Sequence, residues 1–473
     1  MRTLLPLLLI GCGGPKSHPA ELTAPQKIVM TVEVVRPAPG PTAPAPAPAP
    51  APPASDAVAA ELFGDGFRSV EFRAATAVRK APDTEADKVG VIGRGARAGV
   101  RRAEPGGRGC VDGRWLELEP RGWACESAIA PSREAATAAT AASLTDEDAA
   151  LPLPEGSMYG VVHGKDVEAY PTAKDAGAGE NGRVLVGSHT VRSTSVVKVE
   201  DKQFWRTSAG DLIDAASIAK LDPSKWKGVA LAPNAPLPAW VRSQRDASKP
   251  ATTRATPAAD GAAIGKLAPR TVVTILEESA DGRFVRIDER AWIARADLRV
   301  ATLTAPPPDT ADDEKWFDVD LDEQVLVAYE GKRPVYATLV STGRFGHTTP
   351  TKIARVSSKY RSTPLNSNQR EKYAVADVPW TMFYDGGYAV HTAYWHDGFG
   401  GTRSHGCVNL APRDAYLLYQ WSSPDVPPGW IAVFGDEDHP GSLVRVHSRT
   451  APEPEFDGYA RTMRERRPLI AAK

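Results

Sequence analysis

Neither sign of charge dominates this sequence. Its 473 residues hold 57 Lys and Arg against 58 Asp and Glu, a formal net charge of −1. A basic excess and a basic tail are both lacking, so no nucleic-acid partner is expected. Aromatic residues are scarce at 7%, while Gly (40) and Pro (42) are abundant. That balance argues against one large helical core and for short-stranded modules joined by Pro-rich linkers. The apolar stretch at the start, Leu4 to Ile10, is far too short to cross a bilayer as a helix. Cysteines number only four, at positions 12, 110, 125 and 407, so each can be weighed by itself. The length suggests about two to four domains.

Cys407 has the most informative surroundings. It sits in Ser404-His405-Gly406-Cys407-Val408-Asn409, and His391 lies 407 − 391 = 16 residues upstream, after Gly387-Tyr388-Ala389-Val390. A thiol attacks only as thiolate, so it needs a base or cation beside it. Gly406 carries no Cβ, which lets a substrate carbonyl approach and backbone N–H groups converge on a developing oxyanion. These are the parts of a cysteine acyl-transfer site. Zinc is the rival reading, because His391, His396, His405 and Cys407 offer nitrogen and sulfur ligands. The tight ligand pairs of zinc sites are met only by His391-x4-His396, so the nucleophile is preferred, with no metal and no organic cofactor.

The wider stretch Tyr388-Ala389-Val390-His391-Thr392-Ala393-Tyr394-Trp395-His396, then Phe399-Gly400, then Ser404 to Leu410 resembles the L,D-transpeptidase family, the YkuD-type catalytic domain. The resemblance covers residues 313–448. It implies a β-sandwich-like domain with few helices and an action on peptidoglycan stem peptides. By that resemblance Cys407 is the nucleophile and His391 the base, with the backbone of His391-Thr392-Ala393 orienting the imidazole. His405 and Gly406, with the Cys407 N–H, shape the oxyanion site. Ser404 and Asn409 fix the loop, and Trp395 and Tyr384 are candidates for the aromatic wall of the cleft. The thiolate expels D-Ala from the third residue of a stem peptide, and an amine of a neighbouring stem or of a wall-attached protein resolves the thioester. Water as acceptor, giving an L,D-carboxypeptidase, and an inactive wall-binding module are the alternatives. One position departs from the family pattern: Lys352 stands where Gly is usual.

Leu9-Ile10-Gly11-Cys12 resembles a lipoprotein lipobox. It implies a signal peptide over 1–11, a lipidated Cys12 and a membrane partner through that anchor. The implied location is the periplasmic side of the cell envelope, with the outer membrane favoured over the inner because Gly13 follows the cysteine. Residues 13–60 form a Pro/Ala-rich linker. Its Pro/Ala tract, 37–54, is expected to be a stiff polyproline II arm reaching on the order of 55 Å. Cys110 and Cys125 remain. They flank Arg114-Trp115-Leu116-Glu117-Leu118, and an exported chain meets an oxidising compartment, so a disulfide is expected; two buried free thiols are the alternative.

Three segments share short strands, Gly-containing turns and a late Trp or similar anchor: 66–130, 156–222 and 235–302, with a linker over 131–155. The first and third resemble bacterial SH3-like domains and the second does so less clearly. Such modules bind wall peptides or pack on an enzyme. The expected fold is therefore mainly β: small SH3-like β-barrel modules, a YkuD-like β-sandwich catalytic domain, and a C-terminal tail over 449–473.

Overall fold

The computed structural model of this protein describes residues 55–138, 143–145, 157–242, 250–367 and 373–471. The expected signal segment, Cys12 and the Pro/Ala tract lie outside these residues. The chain is mainly β, with strands from Ser69 to His447. No described helix is long and apolar enough to cross a membrane.

The C-terminal domain is built from two sheets. The first has six strands in the order Val229–Ala230, Arg333–Leu339, Val325–Glu330, Lys315–Asp320, Leu443–His447 and Lys352–Arg355. Only Lys315–Asp320 and Leu443–His447 run parallel in it. The second runs Trp430–Phe434, Ser358–Ser367, Tyr373–Asp385, Tyr388–Thr392 and Val408–Leu410. Phe317, Val319, Leu326 and Ala328 of the first sheet meet Trp380, Met382, Val390 and Val408 of the second in one buried core. Helix Pro412–Trp421 adds Ala415, Leu417 and Leu418 to it.

The run Val325-Leu326-Val327-Ala328-Tyr329 reads from sequence as alternation, yet all five residues are buried. The opposite face of this strand is covered too: Val325, Val327 and Tyr329 pack with Trp240, Phe399 and Ala460. A strand covered on both faces has no reason to alternate. The second cover comes from the chain before residue 302 and from helix Gly458–Ala471, within the segment expected as a tail.

Asp414 is the residue type that caps helix N-termini, but it does not cap the helix that follows Cys407. The helix starts earlier, at Pro412, and its N-cap is Ala411 with no side-chain cap. Proline suits this first turn because its missing N–H has no partner to lose there. Asp414 instead turns inward, fully buried, and accepts from Tyr336 Oη (2.8 Å), Thr338 Oγ1 (2.5 Å) and the Gly228 N–H (2.9 Å).

The three upstream segments repeat one device: a strand, a single 3₁₀ turn and a further strand. The turns are Glu126–Ala128, Ala215–Ser217 and Arg295–Asp297. Their sheets are open. No closed barrel is found among the described residues, so the expected SH3-like barrels are not confirmed. The first segment carries a Cys110–Cys125 bond of 2.05 Å. Its strand Lys88–Ile92 extends the second sheet by pairing with Trp430–Phe434. Gly90 permits this, because a Cβ there would lie 2.2 Å from Trp430 Cζ3. The second segment adds Ser188–Thr190 beside Tyr373–Val375, in parallel.

Candidate active site

Two short parallel strands bring the motif together. Val390 pairs with Val408, His391 with Asn409 and Thr392 with Leu410. Cys407 immediately precedes the second of these strands, and its neighbour Asn409 stands opposite His391 in the pair. The chain leaves the first of these strands at Thr392, loops through Trp395 and Phe399, and returns at Ser404.

The return turn is tightly held. Ser404 Oγ donates to the Cys407 carbonyl (2.6 Å), and the Gly406 N–H donates to Ser404 Oγ (3.1 Å). Backbone bonds stitch it to the segment after strand Arg333–Leu339: Ser404 N–H to Thr342 O, Arg344 N–H to Ser404 O, and a reciprocal pair between Ser341 and Asn409. Gly406 has φ +121°, and a Cβ on it would stand 2.4 Å from Tyr388 Cε1. Only glycine meets both demands.

His391 is buried, and its Nδ1–H donates to the Thr392 carbonyl at 2.8 Å. That bond leaves Nε2 as the acceptor. Burial pushes the imidazole down to about 4, against the Thr392 bond, which raises it. Cys407 is the free cysteine among the described residues and is half-buried. Its Sγ lies 3.7 Å from the Gly387 carbonyl. Desolvation pushes the thiol up to about 11, and the Ala389 backbone works in the opposite direction. Both shifts favour a neutral thiol and a neutral imidazole at rest, not an ion pair.

His396 and Asn409 form a second polar pair. The Gly398 N–H donates to His396 Nδ1 (3.1 Å), so a neutral His396 carries its proton on Nε2. Asn409 Nδ2 lies 3.0 Å from that nitrogen, and Asn409 Oδ1 is buried without a partner. Exchanging the two amide atoms gives the Nε2–H its acceptor. Burial first, then Arg403 and His391, press His396 down to about 4.

The other residues named from sequence fall as follows. His405 meets Arg344 Nη2 at 3.0 Å and packs by its ring against His347 and Tyr373. Trp395 is half-buried, with its ring centroid 5.8 Å from that of His391. Tyr384 is 2% exposed, lies in the inter-sheet core, and has a hydroxyl with no partner. Burial drives its pKa far up, and Cys407 adds to this. Lys352 spans two carboxylates, Asp385 at 2.5 Å and Asp457 at 2.7 Å, and so ties the second sheet to the C-terminal segment. Sequence reasoning gave no role to Tyr373, whose pKa also feels Cys407, or to Tyr388. The usable signal for Tyr388 was Gly406 itself, since an obligatory glycine implies a close neighbour. Among the described residues, no group of three or more His, Cys, Asp or Glu is placed to hold a metal.

Residues 314–449 match the L,D-transpeptidase catalytic domain family, YkuD. Among solved structures, the chain is similar to an L,D-transpeptidase from Stackebrandtia nassauensis, with 29% identity over 29% of this chain and 57% of that one, at a TM-score of 0.21. It is similar to the catalytic domain of an Enterococcus faecium L,D-transpeptidase, with 22% identity over 28% of this chain and 97% of that domain, at a TM-score of 0.23. It is also similar to an L,D-transpeptidase from Mycobacterium smegmatis, with 19% identity over 37% and 82% of the two chains, at a TM-score of 0.24. The chain thus spans little more than half of the Stackebrandtia protein. No curated protein matches it.

Proposed function

We propose that this chain, whose residues 314–449 match the L,D-transpeptidase catalytic domain, is a cysteine-dependent L,D-transpeptidase acting on peptidoglycan stem peptides. One observation carries the reading: His391 is locked by its Nδ1–H to the Thr392 carbonyl, which leaves Nε2 free to act as a base, on the strand paired with the one that Cys407 immediately precedes. In the proposed reaction Nε2 takes the thiol proton as the substrate carbonyl arrives. The sulfur attacks the carbonyl of the third stem residue, the peptide bond to D-Ala breaks, and the imidazolium returns its proton to the leaving amine. A second amine then attacks the thioester and frees Cys407. Since Ser404 Oγ engages the Gly406 N–H, the Cys407 N–H is the donor assigned to the oxyanion.

Starting from a neutral pair suits this sequence. The proton moves only when the developing tetrahedral oxygen repays the charge separation, so the resting thiol is protected from adventitious electrophiles. The acyl acceptor is a stem-peptide amine or a lysine of a wall-attached protein.

The test is mass spectrometry of the protein with tetrapeptide muropeptides. Cross-linked product supports transpeptidation. Tripeptide alone makes it an L,D-carboxypeptidase, and no change makes it a binding module. Cys407→Ala should abolish any turnover.

The same proposal places the protein in the cell envelope, on the periplasmic side, held to the membrane by acylated Cys12 with the outer membrane favoured, its Pro/Ala arm supplying reach. Metabolic fatty-acid labelling tests the anchor: label on the wild type and none on Cys12→Ser is the expected result, and an unlabelled wild type rejects it.

A further inference from the structure

The loop between His391 and Cys407 is held from outside its own domain. Arg270, in the third upstream segment, directs Nη1 at both Asp397 carboxylate oxygens (2.9 and 3.0 Å), and its Nη2 donates to the Asp397 carbonyl. Ser224, in the chain joining the second and third segments, donates its hydroxyl to Asp397 Oδ1. Arg299 donates from Nε to the Gly400 carbonyl (2.9 Å) and from Nη1 to the Asp322 carbonyl (2.7 Å).

Arg270 is also held in an uncommon backbone state. It has φ +65°, in the left-handed region that non-glycine residues rarely adopt. Its N–H donates to the Val241 carbonyl, and its guanidinium lies 5.5 Å from the Trp226 ring centroid. Trp226 in turn donates to Thr338 Oγ1 of the first sheet at 3.3 Å. A turn residue held in this conformation at such a contact points to a role for it.

The chain of contacts leads to the reacting groups. Asp397 follows His396, His396 meets the Asn409 amide, and Asn409 stands opposite His391 across the parallel pair. Trp395, beside His391, lies in the same loop.

We infer that the third upstream segment, with the chain that leads into it, is a positioning part of the active site: Arg270 and Ser224, through Asp397, and Arg299, through Gly400, fix the loop that orients His396, Asn409 and Trp395 around Cys407 and His391. Arg270 touches no reacting atom; it acts through Asp397. The Arg270 side chain is 17% exposed and that of Asp397 58%, and an ion pair with one partner open to solvent adds little to stability by itself. The contact therefore acts on geometry more than on folding. This inference rests on the acyl-transfer reading for its kinetic arm, and its second arm does not.

The experiment uses the full chain and two readouts. The first is the rate of Cys407 acylation by a tetrapeptide stem donor, split into kcat and KM. The second is the rate of Cys407 alkylation by iodoacetamide across pH, which needs no peptidoglycan chemistry. Arg270→Ala is expected to lower kcat for acylation by up to roughly 100-fold, the scale of a misplacement of about 1 Å at the chemistry, and to alter the alkylation profile, while thermal unfolding stays in place. Asp397→Asn should give a similar loss, and the double variant should lose no more than either alone. The exchange pair Arg270→Asp with Asp397→Arg should recover part of the rate. Because the Asp397 carboxylate faces solvent, Asp397→Asn keeps the test open even if Arg270→Ala fails to fold. Unchanged rates in Asp397→Asn, or losses that simply add in the double variant, would overturn the inference. A wild type that shows no acylation but whose alkylation profile shifts in these variants would reject the proposed reaction and leave the positioning role standing.

Discussion

Gly406 and Tyr388 are packed so closely that the glycine cannot gain a single carbon: an added Cβ would stand 2.4 Å from Tyr388 Cε1. The same residue has φ +121°, and it immediately precedes the candidate nucleophile. Ring contact and backbone conformation together set the direction in which Cys407 leaves its turn.

Gly406→Ala should therefore damage both folding and chemistry. The backbone term alone is about 1–3 kcal/mol, and the ring contact adds to it. Tyr388→Ala on that background should recover part of the stability and not all of it, because the positive φ remains. Urea unfolding of the two variants checks this; a full recovery would mean that the backbone conformation costs nothing.

His391→Ala should lower the acylation rate at least about 100-fold, the scale of a general base. The wild-type pH profile gives a sharper check. A base works while neutral, and burial has pushed His391 down to about 4. Activity should hold as pH falls from 7 to 5 and be lost only as it approaches about 4. Pre-steady-state acylation measured from pH 3.5 to 8 decides this, and an acid limb at the ordinary imidazole value would contradict the burial argument.

Lys359 offers a pH test of stability. It is fully buried, donates to the Ser422 carbonyl (2.6 Å) and the Pro424 carbonyl (3.0 Å), and is pushed by desolvation from 10.5 down to about 7. Between these values the unfolded chain holds a proton that the folded chain does not, so stability should rise with pH from about 7 to about 10. Below 7 both states are charged and the full cost of the buried charge applies. The span is on the order of a few kcal/mol. Lys359→Met should flatten the slope in chemical unfolding followed across this window. An unchanged slope would mean that other groups produce it.

The Cys110–Cys125 bond closes a loop of sequence separation 15. Chain entropy assigns about 3 kcal/mol to such a loop. Replacing both cysteines with Ala should lower the unfolding transition by that order and leave acylation by soluble stem peptides unchanged. Lost acylation in a folded double variant would show that the first segment reaches the site through its pairing with Trp430–Phe434.

The candidate site could be singled out from the order of residues alone. Gly406 before Cys407, with His391 upstream, offers through local chemistry the parts that the proposed acyl transfer needs: a thiol, an imidazole, and a place where no side chain intrudes. The family match over 314–449 falls on that constellation. The mainly β character was legible too, since β-branched runs and glycine turns act locally.

Tertiary structure decided the rest. Sequence read Val325–Tyr329 as an alternating strand, but two covers bury both of its faces. Asp414 looked like a helix cap, yet the donors that claim it, Tyr336, Thr338 and Gly228, come from distant parts of the chain. Nothing near Asp397 in the sequence announces Arg270, 127 positions away. A motif records what residues can do within a few bonds of each other. Which buried group finds a partner, and which loop is held by another segment, depends on surfaces that meet only after the chain has closed on itself.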